Sequence, residues 1–99
     1  MEKLKIVWSQ KANIKLFGIL DFYSKRNKNT AYSTKLYKRF IKELRLLFKQ
    51  PNVGKATDIE SIRGLIVDEF ILFYEITEDR IIVHTVWDCR QNPEDLRIK

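Results

Sequence analysis

The sequence predicts an α+β fold in which a helical hairpin packs on one face of a mainly antiparallel sheet. Two observations predict it. The apolar spacing changes from a helical period to a period of two at Pro51–Gly54. The charge divides at the same place: residues 1–50 carry 13 Lys and Arg against three acids, a net of +10, and residues 51–99 carry six against ten, a net of −4. The first half reads as helices and the second as strands, in the order β-α-α-β-β-β with one further short strand.

Leu4-Lys5-Ile6-Val7-Trp8 alternates as a short strand, and Ser9 stands where a helix N-cap belongs. From Gln10 to about Arg26, Ala12, Leu16, Ile19, Leu20 and Tyr23 recur at helical spacing. Ile14, Phe17 and Phe22 lie off that stripe and give the helix a second apolar edge. Asn27-Lys28-Asn29 breaks the helix, and Thr30 can cap a second one running to about Lys49. Its core stripe is Leu36, Tyr37, Phe40, Leu44 and Leu47, with Ile41 and Phe48 beside it. Gln50-Pro51-Asn52 ends it, because proline lacks an N–H and restricts the residue before it. Two helices joined by so short a break pack antiparallel.

Lys55–Ile59 reads as a short edge strand, and Ile62–Val67 as a strand broken by Gly64. Asp68-Glu69 turns the chain into Phe70–Ile76, and Thr77-Glu78-Asp79 turns it into Ile81–Trp87. In this last strand strict alternation puts Ile81, Val83, Thr85 and Trp87 on one face, and Ile82, His84 and Val86 on the other. Neither face is wholly polar, so the side away from the helices is expected to be partly covered, for instance by a partner. The place of the first strand in the sheet is open.

Ninety-nine residues at 44% hydrophobic content make one domain, 1–99, with a real core. Cys89 is the only cysteine and has no internal disulfide partner, which suits a reducing compartment. Lys3, Lys5, Lys11 and Lys15 interrupt the first 20 residues, so no signal-peptide core fits there, and no apolar run reaches the ~20 residues of a membrane span. A cytoplasmic protein without membrane contact is expected. Zinc-type spacing, a Walker loop and a Gly-rich dinucleotide turn are all missing, so neither metal nor cofactor is expected. A basic helical layer with Arg63 and Arg90 isolated in apolar strand segments suits an anionic partner, either a nucleic-acid backbone or an acidic protein.

The pattern resembles the RelE/ParE superfamily of bacterial type II toxins over nearly the whole chain. A short strand ending Val7-Trp8-Ser9 precedes a helical hairpin. Phe48 to Lys55 is similar to the "xxPxxGK" that follows the second family helix. Ile62-Arg63-Gly64-Leu65 is similar to its "xRxL" strand, Phe70 to Ile76 to its "xxIxYxI" strand, and Val86 to Pro93 to its terminal "xxRxxP" segment. The resemblance implies growth inhibition and a cognate antitoxin that wraps the toxin as a hetero-oligomer. It also implies one of two targets: DNA gyrase for ParE-like members, bound without nuclease activity, or mRNA on the ribosome for RelE-like members.

Metal-free RNA cleavage needs a base for the 2′-OH, cations for the phosphate and an acid for the leaving oxygen. The Tyr or His-Tyr often found at the RelE-like C-terminus is absent from Leu96-Arg97-Ile98-Lys99. The carboxylate of some members after "GK" is replaced by Thr57, with Asp58 next to it, and the Arg before the strand tyrosine by Ile71. These departures favour a ParE-like, non-catalytic toxin. An mRNA endoribonuclease using Lys55, Arg63, His84 and Arg90 is the alternative, as is a degenerate member that only binds antitoxin.

Arg63, Arg90 and Lys55 are the candidate anion- or target-binding residues. Each also has a plainer reading: Arg63 paired with Glu60 or Asp58, Arg90 with Asp88 or Glu94, and Lys55 solvated in its loop. His84 is the one histidine and a candidate base, but its place between Val83 and Thr85 suits a structural role. Ile14, Phe17, Phe22 and Arg63 are the candidate antitoxin-binding residues. Lys35, Lys38, Arg39, Lys42, Arg45 and Lys49 read as a solvated helix face or as a contact for nucleic acid or gyrase. Cys89 reads as a small half-buried side chain with nothing beside it to make a nucleophile.

Overall fold

The computed structural model describes residues 5–96 and 98; Leu4, with which the first strand was expected to open, lies outside them. The elements run β1 (Lys5–Trp8), α1 (Gln10–Asn27), α2 (Ala31–Leu46), β2 (Lys55–Ala56), β3 (Ile62–Val67), β4 (Phe70–Ile76) and β5 (Arg80–Asp88), followed by a 3₁₀ turn at Pro93–Asp95. The sheet order is β1-β5-β4-β3-β2. β1 runs parallel to β5 at one edge and every other pairing is antiparallel. The sheet is therefore mixed, and the place of the first strand is settled by its backbone: Ser9 N–H continues the ladder to Val83 C=O at 3.0 Å.

Ser9 caps α1 by accepting from the Ala12 N–H at 3.0 Å, and its own hydroxyl donates to the His84 carbonyl at 2.9 Å. One residue thus starts the helix and fixes it to β5. α1 ends at Lys28, which takes the left-handed conformation at φ 58°. Thr30 occupies the N-cap position of α2 but makes no side-chain cap; Asn29 Oδ1 accepts the Ala31 N–H instead, at 3.0 Å. α2 ends at Leu46 and tightens through bonds from Phe48 and Lys49 back to the carbonyls of Arg45 and Leu46.

The helices bury Ala12, Leu16, Leu36, Phe40, Leu44 and Leu47 against Leu65, Phe70, Leu72, Ile81 and Val83 of the sheet. Two stripe positions differ from expectation. Tyr37 is exposed, because it faces the open edge beside β1, and Ser33 is buried in its place, donating to the Leu20 carbonyl at 2.7 Å beside the Ser24 hydroxyl. The expected edge strand Lys55–Ile59 shortens to Lys55–Ala56. The Thr57 hydroxyl donates to the Ile62 carbonyl and accepts the Ile59 N–H, curling the chain out of the ladder. β3, conversely, is continuous through Gly64. A Cβ there would meet Ile71 Cγ2 at 3.0 Å, so the glycine permits close packing and does not break the strand.

The faces of β5 correct the strict alternation. Phe73 pairs with Thr85 but Tyr74 with Val83, leaving His84 as the extra residue of a β-bulge. Parity flips at that point, so Ile81, Val83 and Val86 face the helices while Trp87 joins Ile62 and Phe73 on the far face. The far face is partly covered by the chain itself: Ile59, Leu96 and Ile98 pack on this second cluster.

Candidate functional site

The two arginines expected to form one anion site stand at opposite ends of the sheet. Arg63 is level with Tyr74, which is level with Val83. Arg90 lies beyond Asp88, which is level with Phe70, four residues along β4 from Tyr74. At ~3.3 Å per residue that offset alone is about 13 Å.

Each arginine has its own local task. Arg63 Nη1 donates to the Gly54 carbonyl at 2.8 Å. Tyr74, its cross-strand partner, accepts the Gly54 N–H at 3.1 Å and donates to the Pro51 carbonyl at 2.9 Å. Both side chains thus hold the Pro51–Gly54 turn that returns the chain from α2 to the sheet. Gly54 must be glycine here, since a Cβ would stand 2.6 Å from the Tyr74 hydroxyl. Burial pushes the Tyr74 phenol above its ordinary value. Glu60 and Asp58, the expected partners of Arg63, make no ion pair with it.

Arg90 is held more tightly. Its Nε and Nη2 grip Asp88 at 3.0 and 2.8 Å, Nη2 also donates to the Tyr23 hydroxyl at 2.7 Å, and Nη1 lies 3.4 Å from Glu69. Glu69, not Glu94, is its second carboxylate. The Arg90 hydrogen bond holds the Asp88 carboxyl below the usual carboxylate range, and the pair pushes the guanidinium up. One cation between two carboxylates leaves the spot without positive excess. Arg90 therefore fastens α1, through Tyr23, to the β3–β4 hairpin and the end of β5. Tyr23 in turn stacks edge-on with Phe22 and Tyr32, at ring separations of 5.1 and 4.8 Å.

His84 lies on the face away from the helices, with Nε2 2.8 Å from Glu75 Oε1, both half-buried. Lys55 is exposed on that face at the opposite edge, level with Gly64. Three strand spacings of ~4.8 Å, about 14 Å, separate the two. Arg63 projects from the helix face of the sheet. Lys55, Arg63, His84 and Arg90 consequently do not converge. Cys89 is exposed, not half-buried; partial desolvation of its thiol, with the negative charges of Asp88 and Glu69 nearby, raises its pKa, which disfavours thiolate. Among the described residues no group of three or more His, Cys, Asp or Glu stands close enough to hold a metal, and no helix is long and apolar enough to cross a membrane.

The apolar edge of α1 is where the surface departs most from a solvated helix. Ile14, Phe17 and Phe22 are 65, 66 and 53% exposed. Ile14 and Phe22 border a groove of about 480 Å³ between α1 and β5, floored by Ile19, Phe70 and Val86 and closed at one end by Arg90. Gly18 adds no side chain to this face, and nothing lies within 4 Å of where its Cβ would be. Phe17 turns toward a second concavity with Trp8, Leu20 and Tyr37. Sequence reading found the three residues by their position off the core stripe. It missed Gly18, Trp8 and Tyr37, which only the packing of α1 against β1 and α2 brings into the same surface.

The family model described as ParE toxin of type II toxin-antitoxin system, parDE, matches residues 6–93. The chain belongs to the ParE toxin family. A solved structure of the chromosomal ParDE TA system from P. aeruginosa shares its fold, with a TM-score of 0.71 at 16% identity over 86% of this chain and 95% of that one. No curated protein matches the chain. The RelE/ParE resemblance of the linear motifs is thus matched by family and by fold. Within this ParE-family chain, the "xxPxxGK", "xRxL" and strand-tyrosine motifs meet at a single turn, around Gly54.

Proposed function

We propose that this ParE-family chain inhibits growth in the cytoplasm by binding an essential target, with DNA gyrase as the family-implied candidate. A cognate antitoxin neutralises it by covering the outer face of α1. The observation that carries the reading is the contrast between two sets of residues. Lys55, Arg63, His84 and Arg90, which a nuclease would gather round one phosphate, are dispersed over both faces and both ends of the sheet. Ile14, Phe17 and Phe22 are all more than half exposed on α1, Ile14 and Phe22 beside one groove and Phe17 beside a second concavity. Acid–base catalysis requires groups within hydrogen-bond reach of one reacting centre, whereas binding requires an apolar patch that a partner can dry.

In this reading Arg90 and Tyr23 position the groove, and Arg63 positions the Gly54 turn. An antitoxin segment with apolar anchors fits Ile14, Phe17 and Phe22, and its acidic residues find cations of α1 such as Lys15 at the groove. The test is induced expression in bacteria. Arrest is expected for the wild-type chain and relief on co-expression of the cognate antitoxin. Phe17→Asp with Phe22→Asp should abolish capture by the antitoxin while the circular dichroism of the chain is kept. A doubly substituted chain that still binds antitoxin at wild-type affinity would refute the α1 surface.

A further inference from the structure

We propose that the solvent ridge of α2 is a docking stripe for the backbone of duplex DNA, separate from the α1 surface and independent of the gyrase reading. Lys35, Lys38, Lys42, Arg45 and Lys49 recur at alternating steps of three and four residues. The first four lie on the side of α2 opposite its buried Leu36, Phe40 and Leu44, Lys49 continues their line in the turn that follows, and all five are exposed. At ~1.5 Å per residue the part of the stripe within α2, Lys35 to Arg45, is about 15 Å long. Lys38, Lys42, Arg45 and Lys49 rim one shallow concavity floored by Tyr37, Ile41 and Leu46.

No carboxylate among the described residues forms an ion pair with any of the five. Arg39, off the stripe, takes Asp68 at 3.1 Å. Glu43 is the one acid of α2 and also lies off the stripe. Each successive pair from Lys35 to Arg45 is therefore a like-charge neighbour at i,i+3 or i,i+4 within α2, an arrangement that destabilises a helix. Interleaved glutamates would relieve it at no cost to the core. An uncompensated stripe on an otherwise well-packed helix suits a polyanion.

The chemistry favours DNA over an acidic protein. Four of the five cations are lysines, which are strongly hydrated and depleted from protein interfaces, where their desolvation must be matched group by group. A phosphate backbone neutralises them through counterion release without drying them. A convex α-helix also fits the B-form major groove, about 12 Å wide, whereas the deep, narrow major groove of A-form RNA does not admit side chains.

The test is fluorescence anisotropy of the full chain with a labelled 25-bp DNA duplex between 50 and 200 mM salt. With the four rim cations engaged, log K should fall with log salt at a slope of about −3.6, roughly a 10²-fold loss over that range. Lys38→Gln/Lys42→Gln/Arg45→Gln should flatten the slope to about −0.9. Lys5→Gln/Arg26→Gln/Lys28→Gln, with the same charge loss elsewhere, should leave it nearly unchanged. Thermal melts establish that both triple variants fold; should the ridge variant not fold, the wild-type slope and competition against the probes below decide. Equal loss in the two variants, or no binding at 50 mM salt, would overturn the proposal. So would tighter binding of an RNA hairpin of equal length, or of polyglutamate, than of the duplex.

Discussion

Tyr74→Phe isolates the turn on which three of the family motifs converge. The substitution keeps the buried ring and removes one oxygen, which accepts from the Gly54 N–H at 3.1 Å and donates to the Pro51 carbonyl at 2.9 Å. Pro51 is half-buried and its carbonyl can turn to water; Gly54 is buried, and its N–H is left without a partner. A net hydrogen bond is worth about 1 kcal/mol and a stranded buried donor costs about 1–3 kcal/mol, so the expected loss is about 2 kcal/mol. For a chain of this size that is roughly 8–16 °C in Tm. Urea denaturation with an unchanged m-value is the assay. A pH arm sharpens it. Burial raises the folded Tyr74 pKa above its ordinary value. The unfolded phenol therefore ionises first as pH rises, and this contribution is full below about pH 10 and lost as pH climbs through the folded value. The gap between wild type and Tyr74→Phe should narrow above pH 10. A loss below about 0.5 kcal/mol would refute the claim that this hydroxyl holds the turn.

Leu44→Ala empties a fully buried position under the sheet and should cost about 2–5 kcal/mol by chemical denaturation; a loss under ~0.5 kcal/mol would mean the α2 stripe is misplaced. Arg90→Gln releases Asp88, whose folded pKa lies below its unfolded value, so the stabilisation it provides is present above about pH 4 and lost as pH falls through the folded value. The stability gap between wild type and Arg90→Gln should close on acidification below about pH 4, and a gap constant from pH 7 to 2 would contradict the clamp. His84→Gln should leave toxicity nearly intact in an induced-expression growth assay, because His84 faces Glu75 away from the α1 surface; complete loss of toxicity with a folded variant would make it a general base.

Much of the fold was legible in the residues. The period change at Pro51–Gly54, the Ser9 cap and the Asp68-Glu69 turn are local signals that the structure keeps; Asp68 takes the left-handed conformation the tight hairpin needs, at φ 55°. The bulge at His84 was not legible, because one extra residue in an apolar run has no sequence signature and shows only when Phe73 and Tyr74 choose their partners. The edge strand β2 was legible but read too long, because Thr57 competes for backbone groups that spacing alone assigns to a ladder.

The apolar edge of α1 was readable, since Ile14, Phe17 and Phe22 are off the buried stripe. The grouping of cations was not. Arg63 finds a carbonyl nine residues away and Arg90 a tyrosine 67 residues away, and neither contact follows from neighbours in sequence. Strand register then decides that Lys55 and Arg63 stand on opposite faces, which one pairing, Lys55 with Gly64, is enough to fix.

We hold that this chain acts by binding and not by chemistry. The deciding measurement adds the purified wild-type protein to two reactions in parallel: supercoiling of relaxed plasmid by gyrase, and translation with a labelled mRNA on purified ribosomes. Concentration-dependent loss of supercoiling with the transcript intact is expected, and the same result for His84→Gln. Cleavage of the transcript on translating ribosomes with supercoiling unaffected would contradict it.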